Sequence, residues 1–300
     1  MQKIKCAVVG VGYLGNFHAQ KYSQLSNAEL IAVCDTDEKR GEKIANEYNV
    51  DFTSNIDDLL GKVNAVSIAT STPSHYAIAK KFLQNKIHVL LEKPITTSVI
   101  EADELIKIAK ENNVVLQVGH IERFNPVFKT IKSKIQNPIA IECRRLAPYK
   151  TRGNDVSVVL DFMIHDIDLV QNLISAKIKK IIARGKTLLS QTLDVVHAEI
   201  EFENNCLAFL SASRVDPKVE RKINLLGKNS YFNGDLGEKT LNIINANDLK
   251  EEFAFEKNDA LLEEIRSFID AIDNGRQPEV SGTDGKNALE TALLIEATCY

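Results

Sequence analysis

Residues 4–15 read Ile-Lys-Cys-Ala-Val-Val-Gly-Val-Gly-Tyr-Leu-Gly. A short unbroken apolar run ends in three glycines spaced G-x-G-x-x-G, and a helical stretch follows to about Leu25. Such spacing arises often by chance, so its weight depends on what surrounds it. Here a second apolar run, Glu29 to Cys34, ends at Asp35, twenty residues beyond the last glycine. Strand, glycine turn, helix, strand and acidic residue together form a dinucleotide-binding unit. In it Gly10, Gly12, Tyr13, Leu14 and Gly15 shape a turn close to a pyrophosphate, and Asp35 accepts from the ribose hydroxyls. The competing reading is a plain tight turn with Asp35 capping a loop.

The rhythm of the turn continues outward. AVSIAT, HYAIAKKFLQ, HVLLE, SVIEADELIKIAKENN and VVLQVGH alternate strand-like and helix-like segments up to about residue 121. Near-continuous apolar strands separated by amphipathic helices imply a parallel sheet covered on both faces. The fold class is therefore α/β, with an N-terminal Rossmann doubly wound sheet over residues 1–121. Beyond it, IKKIIARGK, VVHAEIEF, CLAFLSAS, RKINLLG and TLNIIN show period-two alternation with Gly/Asn turns. These predict an α+β domain over residues 122–300, built on a large, mostly antiparallel open sheet, with helix returning near Ala260.

Totals narrow the classes. The 300 residues suit roughly two domains, and 44% apolar with 26% charged residues is an ordinary globular composition. Lys and Arg number 37 against 41 Asp and Glu, a net charge of -4, so nucleic acid is not an expected partner. No run approaches a membrane span and no signal-peptide cleavage region is visible, so a cytoplasmic location is expected. The five cysteines are scattered and read as buried free thiols. The six histidines show no HExxH, HxxxH or paired-cysteine spacing, so no metal is expected. An acid at Asp35 repels a 2′-phosphate, favouring NAD over NADP, and nearby Lys39 and Arg40 read as solvated charges.

Residues 158–174, VVLDFMIHDIDLVQNLI, raise a separate question. At helical spacing Asp161, His165, Asp168 and Asn172 share one polar stripe on an oily helix, while Asp166 points elsewhere. Periodicity alone leaves that stripe facing either water or a working cavity.

The segments GVGYLGNFHA, TSTPSHYAIA, LLEKP, GHIERFNP and LDFMIHDIDL, in this order, resemble the Gfo/Idh/MocA oxidoreductases over nearly the whole chain. The resemblance implies catalytic roles for Lys93, Asp161 and His165. Lys93 would hold the reacting hydroxyl and stabilise alkoxide charge, His165 would take its proton, and Asp161 would orient the imidazole or stay near the substrate. A lysine merely paired with Glu92 is the structural alternative. Thr70, Ser71, Thr72, His75, Glu92 and Lys93 are expected to border the cofactor, although Pro73 and a helix cap at Ser74 explain part of that stretch. Arg123 and Asn125 either meet substrate or brace a domain junction.

The segment Arg144 to Gly153 gathers Arg144, Arg145, Lys150 and Arg152 around Tyr149, a set suited to a diphosphate and a base or sugar, or to a solvated loop or subunit contact. Arg145, Tyr149 and Arg152 join Lys93, Arg123, Asn125 and His165 as substrate candidates. GHIERFNP, RRLAPY and VVLDFMIHDID also resemble one branch of the family, which oxidises the 3-hydroxyl of UDP-N-acetylglucosamine to a 3-keto sugar with NAD. Expected partners are thus a nucleotide-linked sugar and further copies of the chain, as a homodimer or homotetramer through the C-terminal sheet. A free sugar or inositol substrate, or a ligand-sensing protein without turnover, are the alternatives.

Overall fold

The computed structural model describes residues 3–150, 156–247, 249–256 and 258–299. Arg152 lies outside them. The chain forms two compact units, Met1–Ile121 with Asp259–Lys286, and Glu122–Asn258 with Asn287–Tyr300.

The first unit contains a six-stranded sheet in the order β3-β2-β1-β4-β5-β6, all parallel. Its strands are β1 (Ile4–Val9), β2 (Ala28–Cys34), β3 (Asp51–Thr53), β4 (Ala65–Ile68), β5 (His88–Leu91) and β6 (Leu116–Val118). β4 is buried along its whole length, as a strand covered on both faces must be. Strand order reverses direction at β1 and β4, the switch point where such sheets bind nucleotides. The helices are α1 (Tyr13–Tyr22), α2 (Glu38–Tyr48), α3 (Thr72–Gln84) and α4 (Val99–Glu111). Local chemistry starts two of them: Asp37 accepts from the Arg40 amide and Ser98 from the Glu101 amide.

The expected cut into 1–121 and 122–300 differs from the observed units in one respect. Of the helices after α5 (Pro126–Lys134) and α6 (Ile164–Leu173), the helix α7 (Ala260–Asp273) returns to the first unit. Its apolar face, Leu261, Ile265, Phe268 and Ile269, enters the same core as Ala19, Tyr22 and Leu25. Asn27 donates to Asp273 and Lys21 pairs with Asp259, fastening both ends of the contact.

The second unit has an eight-stranded sheet, β14-β13-β12-β11-β7-β10-β9-β8. Its strands are β7 (Ala140–Leu146), β8 (Ile178–Lys186), β9 (Val195–Phe202), β10 (Leu207–Ser213), β11 (Glu220–Leu226), β12 (Ser230–Asp235), β13 (Thr240–Asn245) and β14 (Lys250–Ala254). β7 and β10 are parallel and the other neighbours antiparallel. Alternation buries Ala198, Ile200, Ala208, Leu210, Ile223 and Leu225 against α5, α6 and the later part of α8 (Gly282–Thr298), which supplies Ala288, Ala292 and Ile295. The opposite face leaves Phe209, Leu226, Tyr231 and Ile244 exposed. Among the described residues no helix is long and apolar enough to cross a membrane.

Candidate active site

Gly10 adopts a φ of +83°, open to glycine without strain, at the end of β1. A Cβ on Gly15 would stand 1.8 Å from the Gly10 carbonyl oxygen, so helix α1 can start this close to the strand only without one. Around Gly12, in contrast, a Cβ would meet nothing within 4 Å. That residue caps α1 with no side-chain partner, leaving the helix N-terminus to backbone amides and open space. This is a fit for a pyrophosphate. Tyr13 stands exposed on the first turn.

Asp35, just past β2, accepts from the Val11 amide at 2.8 Å and the Asp37 amide at 2.8 Å. It therefore fixes the glycine turn as well as offering a carboxylate where a ribose would lie. Arg40 is more than the solvated charge expected of it. Its Nε lies 3.3 Å from Asp35 Oδ2 and its Nη2 lies 3.1 Å from Asp37.

Thr70, Ser71 and Thr72 connect β4 to α3, with the Ser74 hydroxyl donating to Thr70 Oγ1 at 2.9 Å. His75 is buried and reaches the Pro94 carbonyl oxygen through Nδ1 at 2.8 Å and the Thr70 carbonyl oxygen through Nε2 at 3.1 Å. It ties the loop after β4 to the loop after β5. Burial lowers its affinity for a proton, against the pull of the Pro94 and Thr70 carbonyls. Lys93, half-buried, follows directly on β5 at the C-terminal edge of the sheet. Glu92, also expected beside the cofactor, is buried, and its Oε1 lies 3.1 Å from His18 Nε2.

In the second unit the 158–174 helix is not uniform. Val159–Met163 forms a π-helical turn that passes into α6, and the Ser157 hydroxyl caps it by accepting from the Val159 and Leu160 amides. Such wide turns recur at functional sites. Asp161 and His165 remain half-buried. The other acids are buried on arginines, so the polar stripe divides. Asp168 takes Arg123 Nε at 2.6 Å and Nη2 at 2.7 Å. Asp166 takes Arg145 Nη2 at 2.7 Å, while Arg145 Nη1 donates to Glu122 at 2.8 Å. Burial pushes the Asp166 carboxyl up against the pull of Arg145. For Glu122 burial is outweighed by Arg145, and its carboxyl is held below the usual range.

These pairs change the reading of the substrate candidates. Arg123 and Arg145 are 3% and 6% exposed and brace the unit from within. Asn125 caps α5 by accepting from the Val127 amide and donates to Glu122 and to the Leu236 carbonyl. Arg144 and Arg145 are neighbours in a strand and so point to opposite faces: Arg144 lies outside, 3.4 Å from Glu220. The cluster of cations around Tyr149 is thus divided. Tyr149 donates from its hydroxyl to the Leu189 carbonyl at 3.3 Å. That loop is itself pinned by buried Asp194, which accepts from the Leu188, Leu189 and Ser190 amides and pairs with Arg214 at 2.8 Å.

Comparison with known proteins agrees with these elements. The profile of the oxidoreductase family with an NAD-binding Rossmann fold, GFO_IDH_MocA, matches residues 4–120, and that of the family's C-terminal domain matches residues 131–232. The chain is 35% identical to the UDP-N-acetylglucosamine 3-dehydrogenase of Acidithiobacillus ferrooxidans, over 98% of this chain and 97% of that one. A solved structure of that enzyme superposes with a TM-score of 0.95, covering 99% of this chain and 98% of the other. It is 28% identical to the NAD-dependent scyllo-inositol 2-dehydrogenase of Bacillus subtilis, over 97% and 92% of the two chains.

Proposed function

This chain belongs to the Gfo/Idh/MocA oxidoreductases, and on that premise we propose that it oxidises the 3-hydroxyl of UDP-N-acetylglucosamine to a 3-keto sugar. The observation that carries the reading is the full-length likeness to a UDP-N-acetylglucosamine 3-dehydrogenase, at higher identity than to the inositol dehydrogenase. When bound, the dinucleotide supplies the hydride acceptor. Lys93 holds the reacting oxygen and stabilises the negative charge that develops there. His165, on the first turn of α6, takes the hydroxyl proton, a task suited to an imidazole, and Asp161 on the preceding π-helical turn orients it.

NAD is the proposed cofactor. Asp35 keeps a carboxylate toward the position of a 2′-phosphate, and Arg40 is already paired with Asp35 and Asp37. Tyr149 and Arg152 remain the candidates for the nucleotide portion, since Arg123 and Arg145 hold internal partners. The exposed apolar residues of the second unit's sheet support a homodimer or homotetramer through that face. The test is NADH production from UDP-N-acetylglucosamine compared with N-acetylglucosamine, myo-inositol and scyllo-inositol. Preference for the unphosphorylated compounds rejects the nucleotide-sugar reading and keeps the family.

A further inference from the structure

Three titratable side chains meet inside the first unit, directly behind Lys93. His18 on α1, Glu92 after β5 and Glu264 on α7 each bring one nitrogen or oxygen within 4.8 Å of the others. All three are buried, His18 and Glu264 at 0% exposure. Glu92 has partners: His18 Nε2 at 3.1 Å and the Lys93 amide, which donates to its Oε2 at 3.2 Å. Glu264 has none for either carboxyl oxygen, and neither does His18 Nδ1. The surrounding polar groups are few. On α1, Tyr22 is 2.8 Å from Ser67 of β4, and on β6 Gln117 donates to the Glu264 backbone carbonyl at 3.0 Å. Lys93 is the cation next to Glu92, and a Cβ on Gly119 would lie 2.9 Å from the Glu92 carboxyl.

Two carboxyls this close in a buried interior cannot both ionise, because like charges repel and each buried charge needs donors. The donors belong to Glu92. Its charge is favoured by His18 and Lys93 against the effect of burial, and its carboxyl stays below the usual range. Burial and then the charge of Glu92 push the Glu264 carboxyl far above it.

We propose that Glu264 is held as a neutral carboxylic acid that shares its proton with the Glu92–His18 pair, directly or through one water, and that this triad positions Lys93. The chain of contact is short: Glu264 orders Glu92, and Glu92 holds the Lys93 amide. Glu264 is thus a positioning residue, and this role rests on Lys93 acting as proposed above.

The test compares wild type with Glu264→Gln and Glu264→Leu in the full chain. Unfolded, Glu264 releases its proton above about pH 4.3, whereas the folded chain keeps it, so rising pH disfavours folding. Relative to Glu264→Gln, the wild-type unfolding constant should rise as pH climbs above the unfolded value, by up to about tenfold per pH unit while folded Glu264 keeps its proton. Parallel stability profiles would overturn the protonated state. This readout needs no turnover, so it stands apart from the identity of the sugar.

Glutamine keeps a neutral donor and should preserve kcat, while Glu264→Leu should lower kcat about tenfold with the Kd for NAD unchanged. A normal kcat in the leucine variant overturns the positioning role. Should that variant not fold, the pH profile of Glu264→Gln decides. Stoichiometric metal in the purified wild type, absent from Glu264→Gln, would overturn the proposal in favour of a metal site.

Discussion

Replacing Asp168 with asparagine removes one charge from the helix that carries His165 and changes almost no volume. Asp168 and Arg123 have side chains 1% and 3% exposed, so solvent screens the pair little. The two bonds are 2.6 and 2.7 Å long, within the short range of charge-assisted contacts. An asparagine oxygen can accept one of them, but its amide then faces the guanidinium. The loss is one charge-assisted bond, about 1.5–3 kcal/mol, together with the penalty of a stranded buried cation, for a total of about 3–5 kcal/mol.

Urea unfolding measures that loss, and hydrogen exchange over residues 158–174 locates it in α6. Removing both charges in an Arg123→Met, Asp168→Leu double variant should recover most of the stability, since the uncompensated charge disappears. A loss below about 1 kcal/mol for Asp168→Asn, the scale of an exposed ion pair, would refute the view of this contact as the brace of the helix.

Lys93→Ala and His165→Ala should each lower kcat by about 10²–10⁴-fold while thermal unfolding stays close to wild type, as steady-state rates and calorimetry together will show. Asp35→Ser removes the charge that opposes a 2′-phosphate and leaves Arg40 unpaired on that side, so kcat/KM for NADP relative to NAD should rise about tenfold or more. At Asp194, burial alone would raise the carboxyl, but the Ser190 hydroxyl and the amides of Ser190, Leu188 and Leu189 outweigh it and hold it below the usual range. Its stabilising effect is therefore complete above the unfolded value of about 3.9 and is lost as pH falls below it. Asp194→Asn should lack that acid dependence in unfolding measured from pH 6 to pH 2.

What the sequence made legible was local. The glycine turn, the apolar strands of the first unit and the alternating strands of the second each encode their structure within a few residues, and all appear where expected. That Asp161 and His165 share a face was legible because a helix repeats its face every turn, while their roles came from the family resemblance alone. The π-turn at Val159–Met163 was not, since hydrophobic spacing does not distinguish it from an α-helix over five residues. Long-range pairing was also hidden. For Arg123 and Arg145 the sequence left substrate contact open beside other readings, because their partners, Asp168 and Asp166, lie 45 and 21 residues away. Glu264 left one sign: it sits on the apolar face of α7 with Leu261, Ile265 and Phe268, where a solvated acid has no place. His18 left a similar sign on the inner side of α1.

The reaction assigned to this chain moves a hydride from C3 of the sugar. UDP-N-acetylglucosamine deuterated at C3 and incubated with NAD should yield deuterated NADH, and the rate of its formation should show a primary isotope effect when the chemical step limits turnover. The same sugar deuterated at another ring carbon should give unlabelled NADH. Unlabelled NADH from the C3-deuterated substrate, or label arriving from a different carbon, would contradict the account.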